Sequence, residues 1–153
     1  MITDTAISNA LGQRLATLTP ALTIGWPNRD VPTGTPHPYL IFAHVPVSRT
    51  DSTLTGGGTI VRGFAQITIM SEIGLSTTAS MVRSKSIVGA DGNGILLPSV
   101  GAIANSIAAL FPYTLRLPVT GGTITINNPP EVQQGYPDGP HWRVPVRVPY
   151  SAS

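Results

Sequence analysis

The stretch Trp142–Tyr150, WRVPVRVPY, decides the fold because its large apolar residues alternate with other residues along its whole length. In a strand, the even-numbered side chains share one face, and Arg143 and Arg147 share the other face with two prolines. Pro145 and Pro149 have the same parity, so both missing N–H donors lie at one strand edge. The pattern predicts a strand that pairs fully on one side and poorly on the other, which is typical of a sheet edge.

A long antiparallel hairpin is predicted upstream of this strand. Residues 39–47, YLIFAHVPV, and residues 59–71 are both strand-like, and the second segment alternates regularly. Between them, residues 48–58 read SRTDSTLTGGG, and three consecutive glycines make an ordered backbone entropically costly. We expect this intervening segment to be a long hairpin loop.

Two amphipathic helices are predicted, one at the start of the chain and one about two-thirds of the way along it. The first begins at an N-cap, Thr3 or Asp4, and its apolar stripe has the helical period: Ile7, Leu11, Leu15 and Leu18. The second spans residues 99–111, with Ser99 as N-cap and Pro112 directly after its end. Each helix has one apolar face that must be buried against another element.

The remaining segments are shorter. Residues 22–26 are a short strand candidate, and residues 114–117 and 122–127 are two more, followed by a brief strand near Val132 and a turn at YPDGP. The four prolines within residues 27–38 indicate an ordered irregular loop.

The elements together predict an α+β fold: a mainly antiparallel sheet with two helices packed on one face, in a single domain over residues 1–153. Residues 72–98 are read either as a marginal helix or as an inserted strand, with a turn at ADGNG, residues 90–94. They are a possible insertion in this domain.

The composition excludes several classes of protein. The chain has no cysteine, which excludes a disulfide scaffold and a thiol nucleophile. Only 10% of its residues are charged, where ordinary domains have about 25%. No apolar run is long enough to span a bilayer, so we expect no membrane partner. Low charge fits either a neutral Thr-rich β protein or a surface that neighbouring subunits cover.

No residue pattern supports catalysis, a metal site or a cofactor. There is no nucleophile elbow, phosphate-binding loop or dinucleotide fingerprint. The histidines His37, His44 and His141 are isolated in sequence, and Asp91-Gly92-Asn93-Gly94 lacks the downstream carboxylate of a calcium loop. We therefore predict a protein that is not an enzyme and uses no cofactor.

Five short segments carry a family pattern over residues 3–150. They are an amphipathic N-terminal helix leading into IGWPN (24–28), PYL (38–40), GFAQI (63–67), IAALF (107–111) and WRVPV (142–146). This pattern resembles the tail terminator, or tail completion, proteins of long-tailed bacteriophages and gene transfer agents. The longer stretch at 72–98 departs from it.

The resemblance implies a structural virion protein without catalytic residues. Such a protein forms a homo-hexameric ring at the head-proximal end of the tail, stops polymerisation of the tail tube protein and joins the head connector or stopper protein. DNA passes non-specifically through the lumen. We expect localisation in the virion tail, and in host cytoplasm during assembly.

Candidate contact residues follow from the hairpin and the last strand. The subunit or tube interface candidates are Arg49, Asp51, Leu54, Arg62, Phe64, Gln66, Trp142, Arg143 and Arg147. The candidates for a weakly positive lumen are Arg49, Arg62, Arg83 and Lys85.

Two alternative functions stay open. A head-side stopper protein differs from a terminator in which neighbour it binds. A small carbohydrate-binding β module is the alternative from another class, because Trp26, Trp142 and Tyr136 are available for stacking. For both tryptophans, a core or lid position is the first interpretation and an interface anchor is the alternative.

Overall fold

The computed structural model describes residues 2–19, 22–27, 29, 31–32, 35, 37–51, 58–75 and 81–153. In chain order the elements are α1 (Asp4–Leu15), β1 (Ile24–Gly25), β2 (Tyr39–Asp51), β3 (Thr59–Glu72), β4 (Met81–Val88), β5 (Gly94–Pro98), α2 (Val100–Leu110), β6 (Arg116–Val119), β7 (Gly122–Thr125), β8 (Glu131–Val132), β9 (Tyr136–Asp138) and β10 (His141–Ala152). The fold is α+β and mainly sheet.

The main sheet has the strand order β1-β2-β3-β10-β7-β6, with β8 and β9 also paired to β10. All described pairings in it are antiparallel except the short β1–β2 pair. Strands β4 and β5 form a separate two-stranded sheet. None of the helices in these ranges is long and apolar enough to cross a membrane.

Both helices begin at the residues that the sequence indicates. The Thr3 hydroxyl accepts from the Ala6 amide at 3.2 Å, and the Ser99 hydroxyl accepts from the Ala102 amide at 3.2 Å. The apolar residues of both helices join one core cluster with alternate residues of β2, β3, β7 and β10. Arg14 links the two helices, since its Nε donates to the Leu110 carbonyl at 2.6 Å.

The last strand, β10, is central and not an edge strand, so the prediction of a sheet edge is wrong. It pairs with β3 along its whole length, from His141↔Glu72 to Ala152↔Val61. The other side of β10 is filled in pieces by β9, β8 and β7. The amide of Gln133 donates to the Pro145 carbonyl at 2.9 Å, which shows that the prolines face this interrupted side.

The hairpin strands extend further than the sequence pattern indicates. Ser48, Arg49, Thr50 and Asp51 belong to β2 and pair with residues 59–62, so the predicted loop at 48–58 is shorter than expected. A register shift between Pro46 and Ser48 lets the strand continue past a proline that cannot donate. Leu54 lies outside the described residues.

Three other local predictions are revised. Residues 81–98 of the 72–98 stretch form the two strands β4 and β5, joined through a turn in which the Gly89 amide donates to the Asn93 carbonyl at 2.8 Å. The segment Tyr136–Asp138, expected to be a turn, is a strand on β10, and the turn follows it. The strand expected at 22–26 is reduced to Ile24–Gly25.

Candidate assembly surfaces

The three long strands give the main sheet two different faces. On the core face, alternate residues of β3 and β10, such as Ile67 and Val146, are fully buried in the hydrophobic cluster. We call the opposite side of the same strands the outer face; its members are Tyr39, Ile41, Ala43, Val45, Arg62, Phe64, Gln66, Thr68, Met70, Arg143, Pro145, Arg147, Pro149 and Ser151. The outer face is the first candidate surface for assembly.

Rows of cross-strand neighbours organise the outer face. Arg147 lies opposite Gln66, and Pro149 lies opposite Phe64, which in turn pairs with Val45 of β2. The Arg147 guanidinium lies 4.3 Å from the centre of the Phe64 ring, a cation–π contact worth about 0.5–2 kcal/mol. Most of these side chains are only half-buried, and Val45 is exposed.

Burial changes along the outer face. At one end, Thr68 and Met70 are buried, whereas at the other end Ser48 and Arg62 are exposed. The exposed end is therefore the part of this face that is free to contact a neighbouring molecule.

Five of the predicted interface residues share the outer face. They are Arg62, Phe64, Gln66, Arg143 and Arg147. Arg143 is already engaged within the chain, since its Nε lies 2.6 Å from an Asp138 carboxylate oxygen. The backbone of Asp51 ends β2, and its side chain is not described.

Trp142 alternates with Arg143 along β10, so its side chain lies on the core face of the sheet and not on the outer face. Its indole packs so closely on the loop before β9 that a Cβ on Gly135 would come within 2.5 Å of the indole Nε1. Trp26 is also half-buried and packs on Phe42, with ring centres 5.7 Å apart. Both tryptophans therefore pack against the core cluster.

The predicted lumen residues fall into two groups. Arg62 and Arg49 form the first group, because Arg62 pairs with Ser48, the neighbour of Arg49. Arg83 belongs to the second group, in β4. The next residue, Ser84, donates its hydroxyl to Glu72 at the end of β3, at 2.7 Å. Ten residues of β3 separate the two groups, about 30 Å at the rise of an extended strand. Within one subunit the structure does not bring them together; the side chain of Lys85 is not described.

Arg49 has a structural role at its end of the hairpin. Its guanidinium donates to the Ile2 carbonyl at 3.0 Å and to the Asp4 carboxylate at 3.1 Å. This ion pair holds the start of α1 against the far end of β2. Arg49 is partly exposed, so the pair itself contributes little to stability.

Two histidine contacts connect distant parts of the chain. His44 and the Tyr150 hydroxyl are 2.5 Å apart, and burial lowers the pKa of His44 and raises the pKa of Tyr150 to about 12. His37 Nε2 lies 2.6 Å from His141 Nδ1. Burial, and then the nearby charge of His141, lower the pKa of His37, while Glu72 opposes the shift.

These side chains do not form a metal site. In the part of the chain that the structure describes, no three histidine, aspartate or glutamate side chains group closely enough to hold a metal ion. The two histidine contacts are instead hydrogen bonds that join β10 to β2 and to the segment before it.

An open groove is the second candidate surface. It has a volume of about 830 Å³ and lies between α1 and the start of β2, with these lining residues: Asp4, Thr5, Ser8, Asn9, Gly12, Gln13, Ala16, Trp26, Pro27, Phe42, Ala43 and His44. Polar side chains come mainly from the helix, and apolar ones from the residues around Trp26 and Phe42. The sequence did not single out this groove, because it arises only when α1 lies alongside β2.

Comparison with known proteins finds a similarity to one family in the C-terminal part of the chain. Residues 87–150 match the family model described as phage tail terminator protein. The match confirms the resemblance predicted from the sequence, and the matched residues make up less than half of the chain. The matched segment includes α2 and most of β10.

A fold likeness extends over the whole chain. A solved structure that carries a sequence identifier in place of a protein name aligns with 100% of this chain and 97% of its own, with a TM-score of 0.71 at 20% identity. At this identity the likeness shows the fold alone. The curated proteins provide no match.

Proposed function

We propose that this chain is a ring-forming tail terminator that caps the head-proximal end of the tail tube, stops tube polymerisation and joins the tail to the head connector. The observation that carries the proposal is the family match over residues 87–150. The matched segment includes Arg143 and Arg147, which line the outer face. A family of structural proteins also favours a role without catalysis.

The surface chemistry supports a covered protein. The outer face combines arginine, an aromatic ring and small apolar residues, a combination that is common in protein interfaces. A closed ring repeats one heterologous contact, so each subunit needs two different patches. The outer face and the groove beside α1 are two such patches.

The ring would surround the DNA that passes through the tail. We place Arg62 at or near the lumen, because it is exposed and lies at the open end of the outer face. One arginine per subunit becomes a ring of positive charge, which attracts the phosphate backbone without reading sequence.

The first test is the mass of the purified protein, alone and with tail tube protein. We expect a species of about six times the 16.0 kDa chain mass, and tubes that stop growing when it is added. Val45→Asp alters an exposed side chain of the outer face and should weaken the ring without unfolding the subunit; Tyr113→Ser, at an exposed site outside the sheet, is its control. A strict monomer that leaves tube length unregulated would refute the proposal.

The same preparation separates a terminator from a head-side stopper. A terminator binds tail tube protein, whereas a stopper binds the portal-side adaptor and leaves tube growth unchanged. Pull-down with each purified partner therefore decides between the two.

A further inference from the structure

The buried end of the outer face carries a cluster of three rings: His37, Tyr39 and His141. His37 Nε2 lies 2.6 Å from His141 Nδ1, and the centres of the two rings are 4.8 Å apart. Tyr39 stacks on His37 with ring centres 5.5 Å apart and meets His141 edge-on at 6.3 Å. The rings belong to β2, to the segment before it and to β10, so the cluster bridges the two strands that flank β3.

The cluster lies where the outer face is closed to solvent. Met70 points to the outer face, between Tyr39 of β2 and Arg143 of β10 in one cross-strand row. Its side chain is nevertheless only 2% exposed, whereas Arg62 near the other end of β3 is exposed. Side chains stand roughly perpendicular to a sheet, so strand pairing alone does not bury them. The side chains around Met70 therefore cover it, and the cluster adjoins it through Tyr39.

The contact between His37 and His141 needs one hydrogen-bond donor and one acceptor. A neutral imidazole has one nitrogen of each kind, and a protonated imidazole has two donors and no acceptor. While one ring is neutral, one of the two facing nitrogens accepts from the other. When both rings are protonated, two N–H groups face each other and both rings are positively charged. The contact then changes from attractive to repulsive.

The charged groups around the pair do not cancel this change. Among the described residues, Glu72 in β3 and Asp138 in β9 lie opposite His141. Asp138 is already paired with Arg143, and Glu72 accepts a hydrogen bond from β4. Burial, and then the charge of His141, lower the pKa of His37, and Glu72 opposes this shift without reversing it. The second proton on the pair is therefore the unfavourable one.

We propose that the His37–His141 pair is an acid-sensitive latch that keeps the outer face closed over Met70. When both rings are protonated, the segment before β2 separates from the start of β10 and Met70 becomes accessible, while the rest of the subunit stays folded. The accessible apolar part of the outer face is then larger. This inference does not depend on the ring proposed above, because every contact it uses lies within one subunit.

Methionine oxidation measures the opening. The chain has three methionines, and Met81 is 47% exposed, so Met81 is an internal reference for Met70. Hydrogen peroxide transfers an oxygen atom to an accessible thioether, which becomes a sulfoxide. Between the ordinary histidine pKa of about 6.5 and the lowered pKa of the closed pair, each pH unit should raise the open population about tenfold. We expect the oxidation rate of Met70 relative to Met81 to rise roughly tenfold per pH unit in that interval.

His37→Gln and His141→Asn are the matched variants. The glutamine amide reaches the position of Nε2 and the asparagine amide that of Nδ1, and each amide supplies a donor and an acceptor without titrating. Both variants should keep Met70 protected as the pH falls. His44→Gln is the control, because His44 contacts Tyr150 and not this cluster, so this variant should open as the wild type does.

NMR of the histidine ring nitrogens in the wild-type protein gives a test that needs no variant. Protonation of the second ring of the pair and the rise in Met70 oxidation should have the same midpoint. Midpoints that differ by more than about one pH unit would show that the pair does not control access to Met70.

Three other results would overturn the latch. If Met70 oxidation does not rise relative to Met81 at low pH, the pair stays closed when protonated. If it rises equally in the wild type, His37→Gln and His141→Asn, the opening has another cause. Loss of the near-ultraviolet circular dichroism of the wild type over the same pH range indicates unfolding of the whole subunit, which contradicts a local opening.

Discussion

Gly63 is a position where one added methyl group should destabilise the whole subunit. It lies on the core face of β3, opposite Tyr150 and beside the register shift in β2. A Cβ at this position would lie 2.5 Å from the Val45 carbonyl oxygen, 2.8 Å from the Tyr150 hydroxyl and 3.0 Å from Pro46 Cα. Two of these three atoms belong to the backbone, so they cannot move aside independently of the strand.

The magnitude follows from two opposing effects. Replacing glycine by alanine in a strand favours folding by about 0.5–1 kcal/mol, because the unfolded chain loses freedom. Overpacking a site that cannot relax costs about 1–3 kcal/mol. We therefore expect Gly63→Ala to lower the free energy of unfolding by roughly 1–2 kcal/mol, and Tm by roughly 2–8 °C for a chain of this size.

Thermal and urea unfolding followed by circular dichroism measure this effect. The matched control is Gly12→Ala in α1, where the nearest atom is Cζ3 of the half-buried Trp26 ring at 3.0 Å. A side chain can shift there, and alanine gains helix propensity of about 1 kcal/mol, so we expect little net change. If Gly63→Ala unfolds at the same temperature as the wild type, the reasoning is wrong, because a Cβ at position 63 would then fit beside the backbone of β2.

Three further predictions concern hydrogen bonds and titration. Tyr150→Phe should cost about 1–3 kcal/mol in urea unfolding, because His44 loses its buried partner; a loss below 0.5 kcal/mol would contradict this bond. Burial lowers the pKa of His37 and His44 below the unfolded value of about 6.5, so on acidification the unfolded chain binds protons before the folded chain does. The free energy of unfolding should therefore fall as pH drops below about 6.5 and stay level just above it. Urea midpoints from pH 5 to 8 check the direction, and a midpoint that rises on acidification contradicts it. Ser99→Ala should cost about 1 kcal/mol through loss of the α2 cap, whereas Ser99→Asn should retain most of the stability.

Local chemistry made both helices predictable. The caps Thr3 and Ser99 and the apolar stripe of α1 depend on residues within one or two turns, so the sequence contains all the necessary information. The pairing of residues 39–47 with 59–71 was predictable for a similar reason, since the two segments are consecutive and alternate. The two-residue β1 forms only against β2, and nothing in its own sequence predicts a parallel pairing.

The position of β10 shows where local inference failed. Its two prolines do face one edge, but they are four residues apart and leave Arg143, Arg147 and Ser151 as donors along that edge. These three residues pair with β9, β8 and β7 respectively. Three short strands therefore take the place of one long neighbour on this side of β10. The positions of the prolines show on which side of β10 the pairing is interrupted, but they do not show whether other strands pair there.

The outer face was predictable from the same alternation, whereas the groove was not. Arg62, Phe64 and Gln66 alternate with core residues in the sequence, so their common face follows from strand periodicity. The groove requires α1 to lie beside β2, and this placement depends on contacts between residues far apart in sequence. Arg49 bound to Asp4 and Trp26 packed beside Gly12 are two of those contacts.

The contacts of the arginines show how the few charged residues of this chain are used. Arg14 binds a carbonyl at the end of α2, Arg49 holds the start of α1, Arg83 donates within its own hairpin and Arg143 pairs with Asp138. Several of the few cations thus stabilise the subunit internally, and fewer remain to hydrate its surface. The exposed arginine of the outer face, Arg62, lies at the end that we assign to the ring. A subunit that uses its charges in this way depends on neighbours to cover the half-buried and neutral surface that remains.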